Sequence, residues 1–266
     1  MPTLVRKTLR DYRRSLIGWT VGICAFLTLY LSIYPSIAAN PDVYGDAALA
    51  KYPGALRDLM GGLDDIASGA GYLQTLVYQL FGPLLFIVCA VLLANRAIAV
   101  PEGKGTLELT LALPLSRSRI VLERWAAVAV GLLIVTVVSF ALVTTMVALV
   151  DMNVEVDRVL AAHTGLYLLA LLVGTLALAI GAITGRKAVA LAASGGVAVA
   201  SYAIESLAKN VDAISWLRWV SPFRYYADGN PLRLGWPVGD YLILAAAIAV
   251  LLFTAVRAFD RRDVGV

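Results

Sequence analysis

Few residues in this chain have types and spacing suited to chemistry. Gly103-Lys104 is the only Gly-Lys step. A phosphate-cradling loop reads G-x-x-x-x-G-K-[ST], with backbone amides around the phosphates and the lysine reaching the terminal ones. Here Ile98 stands where the first glycine belongs and Gly105 follows the lysine, so ATP binding by that device is excluded. His163 is the one histidine, whereas zinc sites take three or four ligands. It reads as a polar cap at an outer helix start, and no metal site is expected. Neither H-E-x-x-H nor G-x-S-x-G occurs, so hydrolases built on those motifs have no support. Cys24 and Cys89 both lie in apolar runs and make no disulfide framework; they read as apolar filling.

Polar residues at apolar runs complete the inventory. An acid or base inside a membrane span would point to an ion-coupled transporter, and Glu205 is the one candidate. It lies near the outer end of its run and reads as interfacial more readily than as a proton relay. Tyr78 and Gln79, with Gln74 and Asn95, make the second run the most polar. They suit pathway contacts and interhelical hydrogen bonds equally well.

The elements that carry these residues follow from composition. The chain has 266 residues, 60% hydrophobic and 15% charged, with a mean hydropathy of +0.81. Soluble domains carry about a quarter charged residues. The deficit sits in long charge-free gaps, such as Arg14 to Asp42, Asp65 to Arg96 and Arg124 to Asp151. Crossing a hydrocarbon core takes about 20 mainly apolar helical residues. Six spans are expected, near 16–37, 72–94, 126–150, 164–184, 188–207 and 240–258. The runs are continuous rather than short and alternating, which argues against a β-barrel. Fifteen of the 22 lysines and arginines fall on one side if both termini are cytoplasmic, so that orientation is expected. The net charge of +4 reflects orientation and calls for no nucleic acid. The first apolar run exceeds the 7–15 residues of a signal-peptide core, which favours an uncleaved first helix. The expected fold is therefore an all-α integral membrane protein, with residues 1–266 forming one transmembrane domain.

Between and around the spans, amphipathic pieces recur. Residues 3–15 place Val5, Leu9, Tyr12 and Leu16 on one face and Arg6, Lys7, Arg10, Arg13 and Arg14 on the other. That predicts a separate helix lying in the lipid headgroup layer, or a basic flank that fixes topology. In the outer connection 38–71, Tyr52, Leu56, Leu59, Met60 and Leu63 recur at helical spacing and predict a short surface helix. Gly18 and Gly22, Gly181 and Gly185, and Gly195-Gly196 form small-residue faces suited to close packing, within one chain or between two copies. Gly82-Pro83 should loosen or kink the second span. The outer connection 208–239 is dense in Trp, Tyr and Pro, and predicts two short re-entrant helices.

The stretch "PEGKGTLELTLALPLSRSRI" (101–120) interrupts the apolar pattern. A lone strand would leave its backbone unpaired, so the reading is a short helix of about 104–113, apolar nearly all round, stopped by Pro114. Ser116 is placed to cap the helix that follows. "GTLELTLALPLSRSRIVLERW" resembles the signature of permease subunits of type II ATP-binding-cassette exporters; "SPFRYYADGNPL" and "AFDRRDVGV" resemble their outer segment and C-terminal ending. The resemblance implies a cytoplasmic coupling helix between spans two and three, with Glu102, Gly105, Thr106, Leu107, Glu108, Leu111, Pro114 and Arg117 at the ATPase contact. It implies an amphipathic N-terminal connecting helix whose Arg6–Arg14 face makes a secondary contact, and a pathway drawing on spans one, two and five. Two ATPase subunits, a second permease copy and surrounding lipid would be the partners, with ATP and Mg held by the ATPase and no cofactor on this chain. Such a subunit is no enzyme. The family is broad and does not carry a substrate over; the largely apolar spans favour an amphipathic drug, peptide antibiotic or lipid as the exported cargo, and the Ala-, Val-, Gly- and Arg-rich composition suggests a bacterial plasma membrane. The competing reading is a self-sufficient secondary transporter or channel using Glu205.

Overall fold

The computed structural model describes residues 3–44, 53, 66–108, 115–209 and 211–262. The described residues are mostly helical, with no strand among them, and include six helices long and apolar enough to cross a membrane. They run Thr3–Leu31, Gly69–Ala97, Arg117–Leu149, Val156–Thr184, Lys187–Ala208 and Val238–Arg261. Each expected span falls on one of them. Apart from Pro53, the surface helix expected from Tyr52 to Leu63 lies outside the described residues, as do Leu111 and Pro114.

Helix length explains what stands clear of the bilayer. The third span has 33 residues, about 50 Å at 1.5 Å per residue, against a core of about 30 Å. It starts at Arg117, where the Ser116 hydroxyl accepts the Arg119 amide as the expected N-cap. The fourth span is the hub and packs on the second, third, fifth and sixth. Its glycines let neighbours approach: a Cβ on Gly174 would stand 3.1 Å from the Ala90 Cβ, and one on Gly165 2.7 Å from the Tyr241 hydroxyl. Gly18, Gly22, Gly195 and Gly196 differ, since a Cβ on any of them meets nothing within 4 Å. Among the described residues nothing packs closely on them. Cys89 is buried and Cys24 half-buried, both as free thiols.

Two expectations are corrected here. Residues 3–15 are no separate helix; they continue unbroken into the first span. Their apolar face does not lie on lipid headgroups either. Val5, Tyr12 and Leu16 are buried, the Tyr12 hydroxyl donates to the Leu93 carbonyl at 3.2 Å, and Leu16 and Leu9 lie over Gly131 of the third span. An amphipathic stripe specifies an apolar neighbour, and here the neighbour is protein. The basic face stays exposed at Arg6, Lys7, Arg10, Arg13 and Arg14.

The second span departs furthest from a plain helix. Gly69–Tyr72 is α, Leu73–Phe81 is π, and Gly82–Ala97 is α again. Gly82-Pro83 sits at the junction, so the expected irregularity takes the form of a change of helical type. The outer connection between spans five and six holds three short pieces where two were expected: a 3-10 helix Asp212–Val220, then Pro222–Ala227 and Pro231–Leu234. Trp216 and Trp219 are exposed, as a membrane-interface belt requires.

The glycine contacts set a clear test. Gly174→Val should lower stability by about 2 kcal/mol through overpacking against Ala90, whereas Gly22→Val should stay within about 0.5 kcal/mol, read as thermal melting in detergent.

Candidate functional sites

At the end that the charge count assigns to the cytoplasm, a short helix Ala99–Gly103 follows the second span. It closes in a left-handed turn. Gly105 has φ +68°, the Gly105 amide donates to the Glu102 carbonyl and the Thr106 amide to the Pro101 carbonyl, both at 2.9 Å. This pair of bonds is the Schellman arrangement, which favours glycine at its left-handed position. The helix expected over 104–113 is thus corrected at its start: Lys104–Thr106 form the turn and helix resumes at Leu107. Lys104, Gly105, Thr106 and Glu108 are exposed, but Leu107 is fully buried in the chain's own core. Leu107 therefore anchors the turn from below and offers no face to a partner.

Glu102 is also committed within the chain. Its carboxylate pairs with Arg262, whose guanidinium donates to the Ala182 carbonyl at 2.9 Å. The Arg262 carbonyl accepts from Arg117 at 2.5 Å, and Ser118 donates to Asp260 at 2.7 Å. Gly185 ends the fourth span with φ +66°, and a Cβ there would stand 2.5 Å from the Glu102 carboxylate oxygen. Arg124 similarly donates to the Ala97 carbonyl. Two arginines thus cap the carboxyl ends of spans two and four, where carbonyls lack helical partners and the dipole favours a cation. The turn is held to the ends of four spans. Arg124 and Arg262 went unremarked in the sequence because their partners are main-chain atoms and a carboxylate 160 positions away.

The outer end holds a polar cavity of about 150 Å³ between the π segment, the fifth span and the re-entrant pieces, with Gln74, Gln79, Tyr202, Glu205 and Asn230 in its wall. Glu205 does not reach freely to water: it is 4% exposed and pairs with Arg218 at 2.8 Å and Lys209 at 3.4 Å. Arg218 also meets Asp228 at 2.7 Å, and its bonds to Glu205 hold its pKa above the usual arginine value. Two cations thus match this carboxylate. The oxygens of Gln74 and Asn230 are buried without a hydrogen-bond partner among the described residues, leaving two acceptors at the cavity. Beside it lies an apolar groove of about 250 Å³ with Leu80, Pro83, Leu84 and Val199 in its wall; Gln79, Tyr202 and Phe223 border both.

Of the three candidate pathway residues, Gln79 and Glu205 come together at this cavity and Tyr78 does not. Tyr78 is 1% exposed, with its hydroxyl 2.7 Å from Nδ1 of His163. His163 is likewise no cap at a helix start. It lies two turns into the fourth span, buried, with Phe140 edge-on at 5.5 Å.

Six spans with a clamped, exposed turn at one end and a polar cavity at the other define a multi-pass membrane permease. The model of the ABC-2 family transporter proteins matches residues 3–264, so the chain belongs to that family and is a permease subunit of the type II ATP-binding-cassette class. Family membership implies association with an ATP-binding-cassette ATPase. No curated protein matches the chain.

The two ends make separate predictions. In a background with Cys24 and Cys89 replaced by serine, Gln74→Cys and Gln79→Cys should both react with a hydrophilic maleimide while Tyr78→Cys stays silent. Reaction at positions 74 and 78 with 79 silent would be the α-helical pattern and would contradict the π register. Arg262→Gln should cost about 2 kcal/mol, since it strips partners from both Glu102 and the fourth-span carbonyls, and Glu102→Gln about 1 kcal/mol; chemical denaturation of the purified chain checks the order.

Proposed function

We propose that this chain forms the translocation pathway of an ATP-driven exporter and is moved by a separate ATPase that docks on the turn around Gly105. The observation that carries the reading is the contrast at that turn: Lys104, Gly105, Thr106 and Glu108 stand exposed while Leu107, Glu102 and Arg117 tie it to the spans. A contact that transmits force needs this combination of an accessible surface and a stiff root. Coupling further requires that the ATPase bind the turn differently in its two states.

The remaining parts fit the same scheme. ATP and Mg are bound and hydrolysed on the partner, and this chain is non-catalytic and holds no cofactor. The exposed basic face from Arg6 to Arg14 makes the secondary ATPase contact. Gly18, Gly22, Gly195 and Gly196, over which a Cβ would meet nothing within 4 Å among the described residues, serve a second permease copy, and the working assembly has two permeases and two ATPase subunits in a bacterial plasma membrane. The polar cavity beside an apolar groove, sharing Gln79, Tyr202 and Phe223, suits a substrate with a polar end and an apolar body, such as an amphipathic drug, peptide antibiotic or lipid.

Gentle detergent purification of the tagged chain tests the reading. A nucleotide-binding ATPase should co-purify in one-to-one ratio. Gly105→Ala, which places a side chain in a left-handed turn at a cost of about 1–2 kcal/mol, should lower the ATPase activity recovered with the complex. Recovery of the chain with no nucleotide-binding partner, together with full transport by the chain alone in vesicles, would contradict it.

A further inference from the structure

The second span changes helical type beside the re-entrant segment, and one proline accounts for it. In an α-helix each carbonyl accepts from the amide four residues on, and in a π-helix from the amide five on. At the junction Gly82 gives its N–H to Val77, five residues back. The Tyr78 carbonyl, four residues before Gly82, therefore lacks that amide. Five residues after Tyr78 stands Pro83, which has no N–H. In the observed register the Tyr78 carbonyl is therefore left without a main-chain donor. It belongs to a residue 1% exposed, where an unmet carbonyl is costly. The hydroxyl of Tyr226, on Pro222–Ala227, donates to it.

A plain α-helix would not remove the problem. Gly82 would then serve Tyr78, but Gln79 would look to Pro83 and find nothing. The proline orphans one carbonyl in each register, and the π register places that carbonyl under a side-chain donor. Gly82 reinforces the choice, because a Cβ there would stand 2.1 Å from the Val77 carbonyl oxygen. The consequence reaches the cavity. At 3.6 residues per turn residues five apart point about 140° apart, and the wider turn of a π-helix brings them closer in direction. Gln74 and Gln79 are five apart and both line the cavity.

We propose that Tyr226 is a positioning residue for the outer cavity: its hydroxyl stands in for the amide hydrogen that Pro83 lacks, and so holds residues 73–81 in the register that brings Gln74 and Gln79 to one wall. Burial pushes the Tyr226 phenol well above its ordinary pKa, so the donor keeps its proton. The bond also makes the re-entrant helix and the second span one unit at the outer end.

A double-mutant cycle separates this role from packing, since Tyr226→Phe keeps the ring and removes only the donor. Amide exchange over residues 73–86 and thermal melting are measured for the wild type, Tyr226→Phe, Pro83→Ala and the pair. Tyr226→Phe should accelerate exchange about tenfold in the proline background. The effect should nearly vanish in the Pro83→Ala background, where position 83 regains an N–H for the orphaned carbonyl. Equal losses in the two backgrounds, or no loss from Tyr226→Phe, overturn the proposal. Should Tyr226→Phe alone fail to fold, recovery on adding Pro83→Ala supports it and continued failure overturns it.

Discussion

Every main-chain N–H and C=O inside a bilayer must find a partner, because hydrocarbon offers none. Much of this molecule answers that constraint. Six helices satisfy most of the backbone internally. The places where a helix ends or changes type are where the informative side chains stand. Arg124 meets the last carbonyl of the second span, Arg262 the Ala182 carbonyl near the end of the fourth, and Tyr226 the one that Pro83 leaves open. Ser116 meets an amide at the start of the third.

These local solutions have mechanical results. Arg262 satisfies a helix end and, with the same guanidinium, holds Glu102 and the turn after it. The turn becomes an extension of the helices rather than a loose connection. At the other end the Glu205–Arg218–Asp228 network ties the fifth span to the re-entrant pieces. The pairing explains how an acid can be 4% exposed there: Arg218 and Lys209 offset the loss of hydration that an isolated carboxylate could not sustain.

Much of the fold was legible because lipid imposes long apolar runs, and the Ser116 cap was legible because its chemistry is local. The neighbours of each face were not. Val5, Leu9, Tyr12 and Leu16 announce an apolar surface without saying whether lipid or the third span covers it. Leu107 announces burial but not that its own chain supplies it. At the site, Gln79 and Tyr78 are adjacent in sequence, and the helical register, which no local pattern fixes, helps to bring Gln79 to the cavity with Gln74. That register depends on a tyrosine 148 residues from the carbonyl it serves, beyond any local pattern. The Glu102–Arg262 pair is hidden for the same reason. Gly82-Pro83 did signal irregularity, without revealing its kind.

The central claim is that motion enters through the exposed turn after the second span. Cross-linking from Glu108→Cys to the co-purified ATPase tests it most directly. The account predicts a cross-link to that subunit whose yield differs between ATP-bound and nucleotide-free complexes. An intact complex that gives no cross-link at this position, or the same yield in both states, would contradict it.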